Sequence, residues 1–127
     1  MKYQGTIIEE SLKNKSVLDQ LKITDTRVEE VTARHQTPWL KNWTLHAVEI
    51  PADKAEEMAK HIEQALEDEH NWYADYRNSE THYIIFKSRV FKIDRKYKEQ
   101  YQAAKDHGIS LGIPDYQVDF PAAFHDK

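Results

Sequence analysis

The chain has 127 residues, a formal net charge of −4 at pH 7 and no cysteine. This length suits one domain with a substantial core and is too short for two comfortable domains, so we expect a single domain over residues 1–127. The absence of thiols excludes disulfides, thiolate metal sites and a cysteine nucleophile.

Three strands are predicted in the first fifty residues. Residues 3–10 contain β-favouring side chains, with Gly5 as a bulge or a point of close backbone approach. Residues 22–31 carry β-branched side chains among charges, so we expect an edge or half-exposed strand. Residues 43–50 alternate between two mostly apolar faces, which suggests a central strand.

The first helix is predicted over residues 53–69. Asp53 and Glu56 have the spacing of a capping box, which marks a helix start. Apolar residues then recur at helical spacing and form one buried stripe. They are Ala55, Met58, Ala59, Ile62, Ala65 and Leu66.

The chain is organised around residues 71–95, which are rich in aromatic and β-branched side chains and predict a hairpin with its turn at Asn78 and Ser79. A two-residue loop would pair Arg77 with Glu80, and a four-residue loop would pair Arg77 with His82. Only the two-residue loop would set Asp75 directly opposite His82. Both registers place the same residues on each face, because side chains alternate along a strand.

Residues 87–93 either continue the hairpin or form a further strand. A second helix is predicted over residues 95–107, with Asp94 as its N-cap and Gly108 just beyond its end. Residues 109–127 contain two prolines and scattered apolar residues, which favours a C-terminal arm that packs on the domain or on a neighbour.

This order predicts an α+β fold with an antiparallel or mixed sheet of about five to six strands and two helices packed on one face. A ferredoxin-like variant is one option. A doubly wound parallel sheet would need more crossover helices than the chain contains.

A first candidate site is the polar end of the hairpin. Its members share one face and form a candidate ligand-binding set: Tyr73, Asp75, Arg77 and His82. A carboxylate beside an imidazole can set the tautomer of the ring and raise its pKa, which a general base or a polar ligand clamp would use. The plainer interpretation is a pair of cross-strand charge contacts.

A second candidate is a run of cations interleaved with aromatic residues, which could hold a nucleic-acid backbone and stack bases. The cations are Lys87, Arg89, Lys92, Arg95, Lys96 and Lys98. The net acidic charge of the chain disfavours RNA binding, because nucleic-acid-binding domains are usually basic.

Signatures of other chemistry are missing from the sequence. It has no glycine-rich phosphate loop, no H-E-x-x-H and no G-x-S-x-G, and it contains only three glycines. We therefore expect no cofactor. Glu57 and His61 lie on adjacent helical turns, but a surface ion pair explains that spacing better than a metal site, so we expect no metal.

The leading hypothesis is a small cytoplasmic module that is not an enzyme, binds a protein partner or a small ligand, and self-associates as a homo-oligomer such as a homodimer. The first alternative is an acid/base enzyme that uses His82 and Asp75. The second is RNA binding through the segment from Lys87 to Lys98. No signal-peptide block or membrane-spanning run is present, so we expect no membrane association.

Overall fold

The computed structural model describes residues 2–32, 37–87 and 89–113. Within these ranges the chain forms six β-strands and two α-helices. In chain order they are β1 (Tyr3–Ile8), β2 (Lys22–Glu30), β3 (Asn42–Ile50), α1 (Ala55–Ala65), β4 (Tyr73–Arg77), β5 (Thr81–Phe86), β6 (Arg89–Asp94) and α2 (Glu99–Ser110). Within the described residues, short 3₁₀ helices also lie at Glu9–Ser11, Lys15–Gln20 and Ala52–Lys54.

The six strands form one sheet in the order β2-β3-β1-β4-β5-β6. Every neighbouring pair is antiparallel. The α+β prediction, with an antiparallel sheet of five to six strands and two helices, is confirmed. The chain runs through three strands and a helix twice, which differs from the β-α-β-β-α-β order of a ferredoxin-like fold.

The core is divided by the sheet into two clusters. The larger cluster joins the buried face of α1 to side chains from β1, β3, β4 and β5, among them Ile7, Ile50 and Tyr76. The smaller cluster joins Tyr101 and Ala104 of α2 to one face of β5 and β6, and it also includes Phe86 and Ile113.

The two helices therefore lie on opposite faces of the sheet, which corrects the prediction that both pack on one face. Ile84 and Ile85 are adjacent in β5, yet they belong to different clusters because successive strand residues point to opposite faces. Five consecutive residues of β5, 82–86, are buried. A strand buried on both faces needs a covering layer on each side.

The helix boundaries also differ from the prediction. The capping box does not form, because α1 begins at Ala55 with Lys54 as its N-cap. The second helix begins at Glu99 instead of 95, because the Asp94 carboxylate accepts a hydrogen bond from the Lys96 amide, 3.0 Å away, within a preceding turn. The helix continues to Ser110, so Gly108 lies inside α2 and not beyond its end, and the predicted start of the C-terminal arm at residue 109 is too early. Gly112, with φ of 93°, takes the left-handed conformation after the helix.

Gly5 is a point of close backbone approach, as predicted. It pairs with Tyr76 where β1 meets β4. A Cβ atom at this position would lie 2.5 Å from the Tyr76 Cα and closer still to the carbonyl oxygen of Asp75. Only glycine therefore allows the two central strands to approach in this way.

Residues 87–93 separate into a turn at Lys87 and the distinct strand β6.

The C-terminal arm falls mostly outside the described residues, so its packing stays a prediction. Ile113 belongs to the smaller cluster. Within the described ranges, no helix is long and apolar enough to cross a membrane.

Candidate functional site

The β4–β5 hairpin has the four-residue loop. Arg77 lies opposite His82, and Asp75 lies opposite Ile84, so Asp75 and His82 are diagonal neighbours. The Asn78 side chain fixes the turn, because its Oδ1 atom accepts hydrogen bonds from the amides of Glu80 and Thr81, each 2.8 Å away. This is the local turn that an asparagine side chain favours.

His82 is the centre of a buried polar network. Its side chain is 0% exposed. The Nε2 atom lies 2.7 Å from Oδ2 of Asp75, and the Nδ1 atom lies 2.9 Å from the hydroxyl oxygen of Tyr101 on α2. Burial raises the pKa of Tyr101, so its hydroxyl keeps a proton and can donate to Nδ1 while Nε2–H donates to Asp75. Both ring nitrogens are therefore satisfied.

Tyr73 shares this face of the sheet but packs in the smaller cluster. Its ring centroid lies 5.9 Å from that of Phe86. Burial, followed by the charge of Asp75, raises the pKa of Tyr73 well above its usual value, so the phenol is neutral at physiological pH. The four predicted residues thus share a face, with Tyr73 at its apolar end.

A recess, called the cationic recess below, lies on the α2 face next to the β4–β5 turn. Its volume is about 420 Å³, and it is lined by Lys2, Gln4, Arg77, Asn78, Ser79 and Arg95. Three of these described lining residues are cations and none is acidic. β1 brings its residues to the site because Gln4 pairs with Arg77 across the β1–β4 ladder.

The guanidinium groups of the recess are held by neighbouring structure. Nη1 of Arg95 donates to the carbonyl oxygen of Asn78 at 2.6 Å. Burial lowers the pKa of Arg77, the charge of Asp75 opposes this shift, and the nearby charge of Arg95 lowers the pKa further. An arginine still remains protonated at neutral pH. Two mutually repelling guanidinium groups therefore face one space, where an anion would be stabilised.

Two further recesses lined by described residues carry mixed charge. One, of about 530 Å³, shares Ser79 with the cationic recess and is also lined by Glu80, Asp94 and two lysines. Another, of about 390 Å³, lies near the start of α1 and includes Glu49, Glu57 and two lysines. The cationic recess has the most uniform charge of the three.

The predicted RNA-binding cations are spread over different parts of the surface. Nζ of Lys87 donates to the carbonyl oxygen of Gln64 in α1 at 3.0 Å. Lys92 lies over the Tyr83 ring on the α1 face, whereas Arg89 lies over Phe91 on the other face. Within this set, Arg95 is the residue that lines the cationic recess. The six cations therefore do not form one continuous stripe.

A loop after α1 gathers Glu67, Glu69 and His70, whose ligand atoms lie within 4.8 Å of one another. Hydrogen bonds and stacking account for this group. Glu67 Oε1 lies 2.7 Å from Nδ1 of His70 and accepts from Nε1 of Trp72 at 2.8 Å. The His70 ring stacks on Trp39, with centroids 3.7 Å apart.

His61, the other histidine considered as a metal ligand, lies with its Nδ1 atom 3.1 Å from Oε1 of Gln20, so its side chain contacts a neighbouring segment.

Sequence reasoning placed Arg77 at the candidate site but missed Lys2 and Gln4, and it assigned Arg95 to a different function. The missing information is the long-range pairing of β1 with β4, which no local pattern encodes. The Asn-Ser turn was the available signal for Asn78 and Ser79.

Comparisons with protein-family models, with curated proteins and with solved structures each found no match to this chain.

Proposed function

We propose that this protein is a non-catalytic binding module for a small anionic ligand and that it self-associates. The observation that carries the ligand class is the cationic recess, whose described lining contains Lys2, Arg77 and Arg95 and no acidic residue. Lys2 also forms an ion pair with Glu49, which lies outside this lining, so the two arginines are the principal anion-binding groups. The recess has a volume of about 420 Å³ and is broadly open to solvent, so recognition there rests on charge more than on enclosure.

The chemistry of the recess fits a carboxylate or a phosphate. A guanidinium group presents a planar fork of donors that matches either anion, and charge-assisted hydrogen bonds are stronger than neutral ones. The side chains of Gln4, Asn78 and Ser79 add polar groups to the lining. The buried His82 network lies behind Arg77 and fixes Asp75, whose charge supports the cationic state of that arginine.

The acid/base alternative has weaker support. A general base must reach the proton that it removes, and His82 is fully buried with both ring nitrogens hydrogen-bonded. The RNA alternative is weakened by the division of the cations between two faces of the sheet. We therefore rank both the acid/base alternative and the RNA alternative below ligand binding.

A thermal-shift titration with inorganic phosphate, citrate and a sugar phosphate tests the proposal. A ligand that binds only the folded state raises the melting temperature by mass action, and added salt should weaken the shift because the site is electrostatic. At least one of the three anions should stabilise the wild type. Arg77→Gln should abolish most of the shift, whereas Arg77→Lys should retain part of it because the charge remains without the fork.

Arg89→Gln is the matched control, because Arg89 is an exposed cation of β6 that does not line the recess. It should bind like the wild type. Equal anion shifts in wild type and Arg77→Gln, or no shift with any of the three anions, would contradict the proposed ligand class.

A further inference from the structure

The strand β2 forms one edge of the sheet, and among the described strands it pairs only with β3. It is nine residues long and exposed along nearly all of its length. Its two large apolar side chains, Ile23 and Val28, are 39% and 61% exposed. A long exposed edge presents unpaired backbone donors and acceptors, which makes it a template for another strand.

A one-residue bulge arranges the side chains of β2. Ile23 pairs with Val48, but Asp25 already pairs with Ala47, so Thr24 is the extra residue. Ile23, Thr26 and Val28 consequently share the face that carries α1. The opposite face carries only charged residues of β2 in the paired register: Lys22, Asp25, Arg27 and Glu29.

We infer that β2 pairs antiparallel with β2 of a second copy of this chain, about a twofold axis at Thr26. With Thr24 left out of the pairing on both sides, Asp25 lies opposite Arg27 of the second copy. Further along, Lys22 lies opposite Glu29, and Ile23 lies opposite Val28. Twofold symmetry repeats each pair, as an isologous interface requires.

The order of charges selects this register. Opposite charges placed across a strand pair stabilise it, and like charges destabilise it. An axis at Asp25, Arg27 or Glu29 would set two identical charges against each other. An axis at Val28 pairs Arg27 with Glu29 but leaves the first part of β2 without a partner. The axis at Thr26 uses the whole strand and covers both exposed apolar side chains.

This inference rests on the self-association in the proposed function and not on the cationic recess. β2 and β4 are separated in the sheet by β3 and β1, so Arg77 lies away from the proposed interface. A monomeric protein would overturn the inference and the self-association but would leave anion binding intact. A dimeric protein that binds no anion would overturn the proposed ligand class but would leave the inferred β2 pairing intact.

Charge reversal followed by sedimentation velocity tests the pairing. The wild type should sediment as a dimer at micromolar concentration. Asp25→Arg and Arg27→Asp should each raise the dimer dissociation constant at least about tenfold, because each places like charges across the interface. The double variant should recover dimerisation. A dimer that survives both single changes, or a double variant that stays monomeric, would overturn the inference.

Cysteine cross-linking tests the register, since the chain contains no cysteine of its own. Residues on the twofold axis face themselves, with Cβ atoms about 4.5–5.5 Å apart, close to the separation of a disulfide. Oxidised Thr26→Cys should form a covalent dimer. Lys92→Cys on the other edge strand should stay monomeric. Cross-linking through Val28→Cys but not Thr26→Cys, or equally through Lys92→Cys, would overturn the proposed axis.

Discussion

The two faces of the sheet differ in what they bury. The α1 face carries a broad cluster of apolar side chains drawn from four strands, and its tyrosines pack ring against ring. The α2 face has a smaller apolar cluster, a buried Asp75–His82–Tyr101 network and a cationic recess at its end. We infer that the first face supplies most of the stability and the second face supplies recognition.

The largest expected effect lies at the centre of the stabilising face. Gly5→Ala should lower the free energy of unfolding by about 3 kcal/mol or more, because the new Cβ would overlap the backbone of β4. Urea denaturation measures this loss. Thr6→Ala, on the exposed side of the same strand, is the control and should change stability by at most about 0.5 kcal/mol. A loss below about 1 kcal/mol for Gly5→Ala would contradict the close approach.

A smaller loss is expected from the polar network on the other face. His82→Leu removes one partner each from Asp75 and Tyr101 and should destabilise the protein by about 2–3 kcal/mol, because buried polar groups lose their hydrogen bonds. His61→Leu is the matched control at a site whose hydrogen bond is exposed, and it should cost less than about 0.5 kcal/mol. Equal unfolding midpoints for the two variants would show that the network contributes no stability.

The smallest effect concerns His107, whose ring packs against Phe86 and Phe91 and whose buried Nε2 atom has no hydrogen-bond partner among the described residues. Burial, with a contribution from the charge of Arg89, lowers the pKa of His107. The unfolded chain therefore binds the proton more tightly, so this group costs stability as pH falls through its unfolded pKa of about 6.5.

His107→Phe should remove that cost, a gain of a few tenths of a kcal/mol at about pH 5 compared with about pH 8. The control is His61→Phe, which replaces an imidazole whose hydrogen bond is exposed. Melting temperatures of both variants at the two pH values measure the difference. A stabilisation by His107→Phe that is larger at the higher pH than at the lower pH would contradict this explanation.

The fold could be predicted from the sequence where a local pattern determines the structure. Helical spacing identified α1, turn chemistry at Asn78 identified the β4–β5 hairpin, and Gly5 was recognised as a point of close approach. The opposite placement of the helices was missed, although residues 82–86 form a run that is buried on both faces. The prediction that the second helix begins directly after Asp94 was wrong, because the Asp94 carboxylate instead stabilises a turn.

The candidate site could be predicted only in part, because it combines near and distant segments. Asp75, Arg77 and His82 were grouped correctly by strand alternation within one hairpin. Lys2 and Gln4 reach the same place through β1, and Arg95 reaches it through the turn after β6. Those contacts depend on strand order, which is set by packing of the whole sheet and not by any short segment.

The most direct test of anion recognition on the α2 face is an NMR titration of the ¹⁵N-labelled protein with phosphate at low salt. The amide signals of Gln4, Asn78 and Ser79 should move together and saturate, while those of Lys92 and Lys96, at the mixed-charge recess, should move little. Arg77→Gln should remove the response. Shifts spread evenly over all exposed cations, or unchanged in Arg77→Gln, would contradict the account.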